Sequence, residues 1–517
     1  MNGRARWLLE VEADGRVYRW SDLACTVPTA SGASLDYPAG LGPLETAAGE
    51  ELEVEVSDGR VPWPEVAPQL DGRPCILRRW LPGTAWEQAV VYAQGEATGV
   101  IFGARHEPAA WRITRPIGSA STRGLQAPDP LARVDGTTWP TAAAHVVGTE
   151  GASYPVVFGV PGFRAASTTS EQVVPAPIAQ WQAAAAATTY VVVSEDPEAP
   201  ITQVRVRNDT TGVVGLEDVL RVRDDLGRPV LVAAFTNDAG PLPASADDQM
   251  YVGYRPAGGG GVARTVYDVL AYVHRRWGAD AVDWSRLPEI RDGVSGYLVD
   301  TWIDQPVQDP CGWVDTAILP DLPLEVRIGP RGRYYALKRY VSDRARLIGS
   351  LSADRGECSR VSGIGRSGEP INELTAYYRR SRDGEWLARV TVAGAAGLVS
   401  KPDQVQPGAT NVQEFSLMQS NDCTRSLARY GLRQGESLEV DWTWDTPTVG
   451  LILSWRMQRD AVPGLVVEYD VPRGEDLEEG DEVELTDSEL GWSSIAAIVD
   501  APPVRGVSTK VRLRLPG

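Results

Sequence analysis

The sequence predicts a mainly β, multidomain protein with β-barrel or sandwich domains and a small α/β insert domain. Three observations lead to this prediction. The chain has 517 residues, which at about 150 residues per domain suggests three or four domains. Short apolar runs recur roughly every ten residues with Gly and Pro between them, as in β-barrels and sandwiches. One segment, after residue 258, shows a long apolar stripe of helical period.

The first domain is expected at residues 1–115 and is predicted to be β. Two short apolar runs flank Asp14-Gly15, a pair that favours a tight hairpin turn. Residues 52–56 alternate between apolar and acidic side chains, which predicts a half-buried strand. Further apolar runs lie at 75–80, 89–92 and 111–113.

Residues 116–200 are rich in Pro, Gly and Ala, and we interpret them as a connector with short strands. Its clearest element is the apolar run 154–159, a buried strand ending at a Gly. The Ala run at 183–187 fits a helix or the start of a strand. A β segment follows at 201–257, with an alternating run and the fully apolar run 230–235.

The small α/β domain is expected at 258–325. It opens with four glycines, which we interpret as a hinge or a tight turn. The apolar residues that follow recur at i, i+4, i+7, i+8, i+11 and i+15, which predicts a helix over 262–277. They are Val262, Val266, Val269, Leu270, Val273 and Trp277. A second short helix is expected at 313–319, stopped by Pro320.

The last third of the sequence returns to β, with a β-barrel domain expected at 326–450 and a C-terminal β segment at 451–517. Strand pairs on either side of 329–332 and of Asp383-Gly384 predict hairpins. Residues 450–455 fit a strand or a short helix. A turn is expected at Gly480-Asp481, and an alternating strand closes the chain at 511–515.

The composition disfavours several functional classes. The net charge of −19 repels phosphate backbones, so generic nucleic-acid binding is disfavoured. No apolar run approaches the roughly 20 residues that span a bilayer, and we expect neither membrane insertion nor a signal peptide. The chain has 17 Trp against 5 Phe. Tryptophan suits protein interfaces and also carbohydrate-stacking surfaces, so both stay open.

No catalytic, cofactor-binding or metal-ligating residue is predicted. A GxSxG nucleophile motif is absent, and the three histidines His106, His145 and His274 have no metal spacing. The cysteines are dispersed, which predicts free thiols in a chain made in a reducing cytoplasm rather than a disulfide framework. They are Cys25, Cys75, Cys311, Cys358 and Cys423.

Two motifs receive a structural interpretation. Residues 363–368 match GxGxxG, but Glu369-Pro370 follows where a phosphate-binding helix would have to begin, so we predict a loop. Acidic residues crowd 475–489 and alternate with apolar ones, which predicts a hairpin around Gly480-Asp481 with one solvated negative face. A calcium site there is less favoured because the EF-hand spacing is absent.

Four segments within 258–340 follow one another in a characteristic order: 267–273, 282–287, 297–300 and 313–324. Their pattern is a helix, an acidic-polar stretch, a strand pair, a second helix and a turn into a β domain. In this pattern the stretch resembles phage tail proteins that form the central hub of the baseplate or the tail tip. Residues 371–375 are similar to an entry strand of the next barrel, and 450–500 to a terminal barrel. Residues 154–159 also resemble tail-tip sequences.

This resemblance implies a structural hub that joins the tail tube to the tip and surrounds the DNA channel. Hubs of this family present two tube-like barrels per chain, so three copies can match a sixfold tube. The implied partners are tube or distal tail proteins and tip, spike or fibre proteins, in a virion tail assembled in the bacterial cytoplasm. Some related tip proteins bind an iron–sulfur cluster on grouped cysteines, which this chain lacks. The alternative is a carbohydrate-active enzyme or carbohydrate-binding β-protein.

Overall fold

The computed structural model shows a mainly β protein of several modules, and the predicted fold class is confirmed. The residues described are 5–46, 52–58, 60–102, 109–114, 154–164, 169–180, 188–195, 201–211, 213–223, 229–236, 249–254, 264–277, 287–304, 310–329, 332–338, 340, 347–381, 383–394, 414–472, 477, 479–501, 503–505 and 509–515. Most of the expected connector 116–200 lies outside them.

The N-terminal module is an antiparallel sheet with strand order β2-β1-β7-β8-β9-β6-β5. Asp14 and Gly15 both have positive φ, so the predicted hairpin turn is confirmed. The elements are β1 Arg6–Ala13, β2 Arg16–Ser21, β3 Cys25–Pro28, β4 Ser34–Tyr37, β5 Leu41–Thr46, β6 Leu52–Val56, α1 Trp63–Leu70, β7 Arg73–Trp80, β8 Val90–Phe102 and β9 Ala109–Thr114.

The two edges of this sheet meet at the C-terminal end of β2, so the module is a partly closed barrel. The Ser21 N–H donates to the Pro38 carbonyl at 2.9 Å, and the Gly40 N–H donates to the Ser21 carbonyl at 3.0 Å. Inside, the rings of Trp20 and Trp111 lie 5.9 Å apart. A side chain at Gly40 would come within 2.9 Å of the Ser57 carbonyl, so the closure requires glycine there.

The second module is a seven-stranded antiparallel sheet with order β13-β19-β16-β17-β18-β15-β14. The predicted alternation of 201–207 is confirmed, because Val204 and Val206 point into the core. The strands of this region are β10 Val156–Phe158, β11 Phe163–Arg164, β12 Thr169–Ser170, β13 Val174–Pro175, β14 Ile178–Gln180, β15 Thr188–Ser194, β16 Gln203–Asn208, β17 Val214–Arg223, β18 Pro229–Thr236 and β19 Met250–Tyr254.

The third module is α/β and is larger than the segment 258–325 that was expected. Its core joins three helices to a four-stranded mixed sheet, β28-β27-β26-β29, and to two further helices. Its elements are α2 Val266–Trp277, α3 Leu287–Val294, β20 Thr301–Ile303, α4 Pro310–Ala317, β21 Leu324–Gly329, β22 Gly332–Leu337, β26 Glu373–Arg380, β27 Trp386–Ala393, β28 Glu414–Gln419, α5 Asn421–Tyr430, β29 Leu438–Val440 and α6 Thr446–Asp460.

The fourth module is barrel-like and discontinuous in sequence. Some of its strands precede the α/β sheet in sequence and the others follow it. Strand β23 pairs in parallel with β31. Tyr469, Leu485 and Leu513 lie in its core. The elements are β23 Leu347–Ser352, β24 Ser359–Arg360, β25 Gly365–Arg366, β30 Leu465–Val471, β31 Glu482–Asp487, β32 Trp492–Val499, β33 Val504–Arg505 and β34 Thr509–Leu515.

These modules correct three expectations. Residues 326–450 do not form one barrel, because 373–440 build the mixed sheet of the α/β module. Residues 450–455 belong to α6, whose 15 residues cross the expected boundary at 450/451. The short helix predicted at 313–319 begins earlier, at Pro310, and ends at Ala317 before a 3-10 turn that contains Pro320.

The predicted helix at 262–277 is confirmed over the described residues as α2, which begins at Val266; Val262 lies outside them. Val266, Val269, Leu270 and Val273 are fully buried. The Thr265 hydroxyl donates to the Asp268 carboxylate at 2.6 Å and the Asp268 N–H donates back to that hydroxyl at 3.2 Å, so this pair caps the first turn.

We expect Leu270→Ala to lower the free energy of unfolding by about 2–5 kcal/mol, because it opens a cavity in a fully buried site. Leu451→Ala is the matched control, since Leu451 is a helical leucine that is 40% exposed. Urea unfolding followed by circular dichroism measures both. Equal effects of the two substitutions would show that the stripe of α2 is not a core face.

We expect acid to destabilise the N-terminal barrel through Asp58. Burial raises the pKa of Asp58, but hydrogen bonds from Arg60 and from the Trp20 indole outweigh it, so the pKa lies below its usual value. The stabilisation is therefore present above the unfolded pKa of about 3.9 and is lost as pH falls through the folded value. The difference in Tm between wild type and Asp58→Asn, measured from pH 7 to pH 2, should shrink. A constant difference would contradict this.

Candidate functional site

The two barrel-like modules lie side by side in one chain and share a sheet. Strand β33 of the C-terminal module pairs with β5 of the N-terminal barrel, with Arg505 opposite Leu44. On its other edge β33 pairs with β34. The result is a 15-stranded sheet whose path runs from β2 in the first module to β23 in the last. One chain therefore presents two adjacent β modules joined edge to edge.

A buried carboxylate, Asp300, joins the second and third modules. It is 1% exposed. It accepts hydrogen bonds from the Val160 N–H at 2.9 Å, the Trp444 N–H at 3.2 Å and the Arg264 Nε at 3.3 Å. Burial raises the pKa of this carboxyl, against the lowering effects of Arg264 and the two backbone donors. The group thus binds three distant segments at one point.

Gly159 is required at this junction. It follows β10 and has a φ of +66°, and a side chain there would come within 2.0 Å of the Val299 carbonyl. The strand 154–159 predicted to be buried and to end at a glycine is confirmed as β10. Its glycine allows the backbone to approach Asp300.

Two tryptophans next to Asp300 enter different cores. The Asp300 N–H donates to the Trp442 carbonyl at 2.8 Å, and the Trp442 ring packs in the α/β core. The Trp444 ring packs in the core of the second module. The Trp444 carbonyl accepts from Arg379 Nε at 3.0 Å, and Arg379 has a φ of +61°. The backbone of Trp444 is therefore bound by a charged group on each side.

A cluster of arginines and aromatic rings joins the α/β module to the C-terminal module. Arg514 on β34 donates to the Arg459 carbonyl at 2.8 Å and its guanidinium lies 5.0 Å from the centre of the Tyr340 ring. The Arg459 guanidinium lies 5.6 Å from the same ring. Asp500 lies 3.5 Å from Arg514. Because carboxylates and carbonyls accompany these cations, we interpret the cluster as a structural joint.

An apolar strip lies on the outer face of the second module. Val214, Leu216 and Leu220 on β17 are between 41% and 48% exposed. The neighbouring strand β16 places Arg205 opposite Leu216 and Arg207 opposite Val214. Exposed apolar strips of this kind are typical of contact surfaces, and no single motif in the sequence indicated this one.

Within the described residues, the sequence motifs do not converge on a catalytic centre. Residues 363–368 are largely exposed and contain the two-residue strand β25, which pairs with β30; residues 369–372 are not helical, as the loop interpretation expected. His106 and His145 lie outside the described residues, as do the four glycines at 258–261, and His274 lies on α2. Among the described residues, no group of three or more His, Cys, Asp or Glu side chains is placed to bind a metal ion.

The acidic segment differs from its prediction. The turn predicted at Gly480-Asp481 is present, with a φ of +81° at Gly480, but the acidic hairpin is β31–β32, which turns at 488–491. Glu482 and Asp487 are buried, and Asp487 accepts a hydrogen bond of 2.7 Å from the Tyr469 hydroxyl. The prediction of a single solvated negative face is therefore wrong for Glu482 and Asp487. Glu475, Asp476 and Glu478 lie outside the described residues.

The cysteines and tryptophans of the described part are mostly internal. Cys75, Cys358 and Cys423 are buried free thiols, and Cys25 is a half-buried one. Burial raises the pKa of Cys358 to about 11. No tryptophan whose side chain is described is exposed. The tryptophans whose side chains are described therefore build cores and junctions rather than an exposed stacking surface.

None of the helices in the described ranges combines the length and apolar character needed to cross a bilayer. No family model matches the chain, and no curated protein sequence matches it.

Several solved structures are similar to the chain over most of its length. One is a tail protein from Neisseria meningitidis MC58, with 9% identity, a TM-score of 0.36, and coverage of 98% of this chain and 96% of that one. Another is the 43 kDa tail protein of prophage MuSo2 from Shewanella oneidensis, with 9% identity, a TM-score of 0.32 and coverage of 99% and 98%. A chain of a native gene transfer agent virion has 12% identity, a TM-score of 0.39 and coverage of 77% and 92%.

We expect Asp300→Ala to cost about 3 kcal/mol or more, because it leaves two buried N–H groups and Arg264 without their acceptor. Asp300→Asn keeps the shape and one acceptor oxygen, so it should cost less. Urea unfolding combined with limited proteolysis measures both effects, and cleavage should begin near residue 160. An Asp300→Ala variant as stable and as resistant to protease as wild type would contradict the role assigned to this carboxylate.

Proposed function

We propose that this chain is a structural hub of a phage tail or of a phage-derived particle. It joins the tail tube to the tip and surrounds the DNA channel. The observation that carries the proposal is the pair of β modules placed side by side through β5 and β33. Three copies of such a chain supply six β modules, which suits a contact with a sixfold tube. The hub resemblance of the sequence supports the same role.

The charge of the chain fits a channel that DNA crosses. With a net charge of −19, a surface facing the channel repels the phosphate backbone and disfavours specific contacts. DNA then slides through without binding. The partners proposed are tube or distal tail proteins on one side, and tip, spike or fibre proteins on the other. The work of the protein is mechanical, with no enzymatic step, and its location is the virion tail.

The carbohydrate alternative receives no support from the described residues. It required tryptophans on the surface as stacking platforms, and the described tryptophan side chains are buried or half-buried. A glycan array together with a reducing-sugar assay tests this alternative directly. Binding to a defined glycan or release of reducing ends would favour it over the hub.

The test of the hub is a cryo-EM map of the particle that contains this chain. We expect a ring of three copies between tube and tip, with each copy contributing two β modules to the wall of the channel. Particles that lack the chain should contain tubes without attached tips. Six copies per ring, or a single copy at the tip, would contradict the trimer.

A further inference from the structure

The C-terminal module ends in an open sheet edge. Strand β23 pairs in parallel with β31 on one side, and no strand in the described part of the chain pairs with its other side. Leu347, Ile348, Gly349 and Ser350 are all exposed. The register is irregular between Leu347 and Gly349, and Ile348 is 55% exposed. Strand β23 thus exposes backbone groups that have no described strand partner, together with apolar side chains.

Two of the usual protections of an open edge are absent from β23 itself. Natural proteins place charged side chains or Pro on an open edge to prevent pairing with another chain. The sequence of β23 is LIGSLS, which contains neither. The chain carries a net charge of −19, so two copies repel each other at long range. An uncharged apolar edge is a place where such copies can approach closely.

The other end of the same sheet has complementary properties. Strand β2 pairs with β1, and in the described residues its far side has only the bridge from Ser21 to Ala39 at its C-terminal end. Arg16 and Val17 are exposed. The charge of Arg16 on β2 is opposite in sign to that of Glu484, which lies on β31 next to β23.

We propose that β23 of one copy pairs with β2 of a second copy, so that the sheet continues from chain to chain. This inference rests on the proposed function, because it names the contact between neighbouring hub subunits. The β5–β33 junction is the precedent within the chain, since it already joins two modules by their sheet edges. A contact between two different edges is heterologous, and it produces a closed ring when the rotation closes.

The experiment uses a short bismaleimide to cross-link variants of the full chain that each carry one added cysteine. Ile348→Cys and Val17→Cys are each made in a background with Cys25→Ser and Cys311→Ser, because Cys25 is half-buried and the side chain of Cys311 lies outside the described ones. Both sites are exposed, so the Tm of each variant should equal that of its background. We expect covalent dimer in a 1:1 mixture of the two variants in several-fold excess over either variant alone.

Val361→Cys is the matched control, since Val361 lies in the same module, is 52% exposed and is outside β23. Its mixture with Val17→Cys should give only the background yield. The proposal is overturned if the Ile348→Cys mixture does not exceed this control, or if Ile348→Cys cross-links equally well alone, which would indicate a β23–β23 dimer.

The two proposals fail in different ways. A particle map with three copies whose β23 edges lie away from β2 would overturn the strand pairing and leave the hub. Specific cross-linking of a chain that is absent from tail particles would overturn the hub and leave the pairing.

Discussion

The buried carboxylate of Asp300 is the constraint on which the arrangement of the central modules depends. It fixes the backbone at Val160, at Trp444 and beside Arg264. Burial still raises the pKa of this carboxyl, so its donors do not fully offset the loss of solvation. We infer that the group defines position more than it adds net stability, as buried charges do in some proteins. This geometry requires glycine at 159, because a side chain there would collide with the Val299 carbonyl and the Asp300 carboxylate.

The modules are also interleaved along the chain, and this explains why they need such joints. In sequence, the strands of the C-terminal module come both before and after the residues of the α/β sheet, 373–440. Helix α6 leads from that sheet back to β30, and Arg514 holds the end of α6 through the Arg459 carbonyl. Trp442 and Trp444 lie two residues apart yet enter separate cores. A chain that passes repeatedly between modules couples their packing.

Local patterns in the sequence were sufficient for elements with a clear period or turn. The stripe of α2 and the turn at Asp14-Gly15 are local signals, and the structure confirms both. Helix α1 was missed because its sequence, WPEVAPQL, contains two prolines, which oppose helix in most contexts. Asp300 could not be predicted as a junction, because its backbone partners lie 140 and 144 residues away in sequence. The predicted module boundaries differ from the observed ones for the same reason, since pairing between distant strands defines the modules.

The two β modules differ in how far their sheet edges are paired, and this difference is relevant to the proposed assembly. The N-terminal barrel joins the end of β2 to the segment before β5 through Ser21 and Gly40, which leaves most of β2 outside the closure. The C-terminal module ends at β23 without a described partner strand. A protein with a high negative charge gains solubility from repulsion between copies, and open edges then add short-range attraction only where two edges meet in register. In the proposed assembly, charge would delay association and edge geometry would select which contact forms once a neighbouring surface brings the copies together.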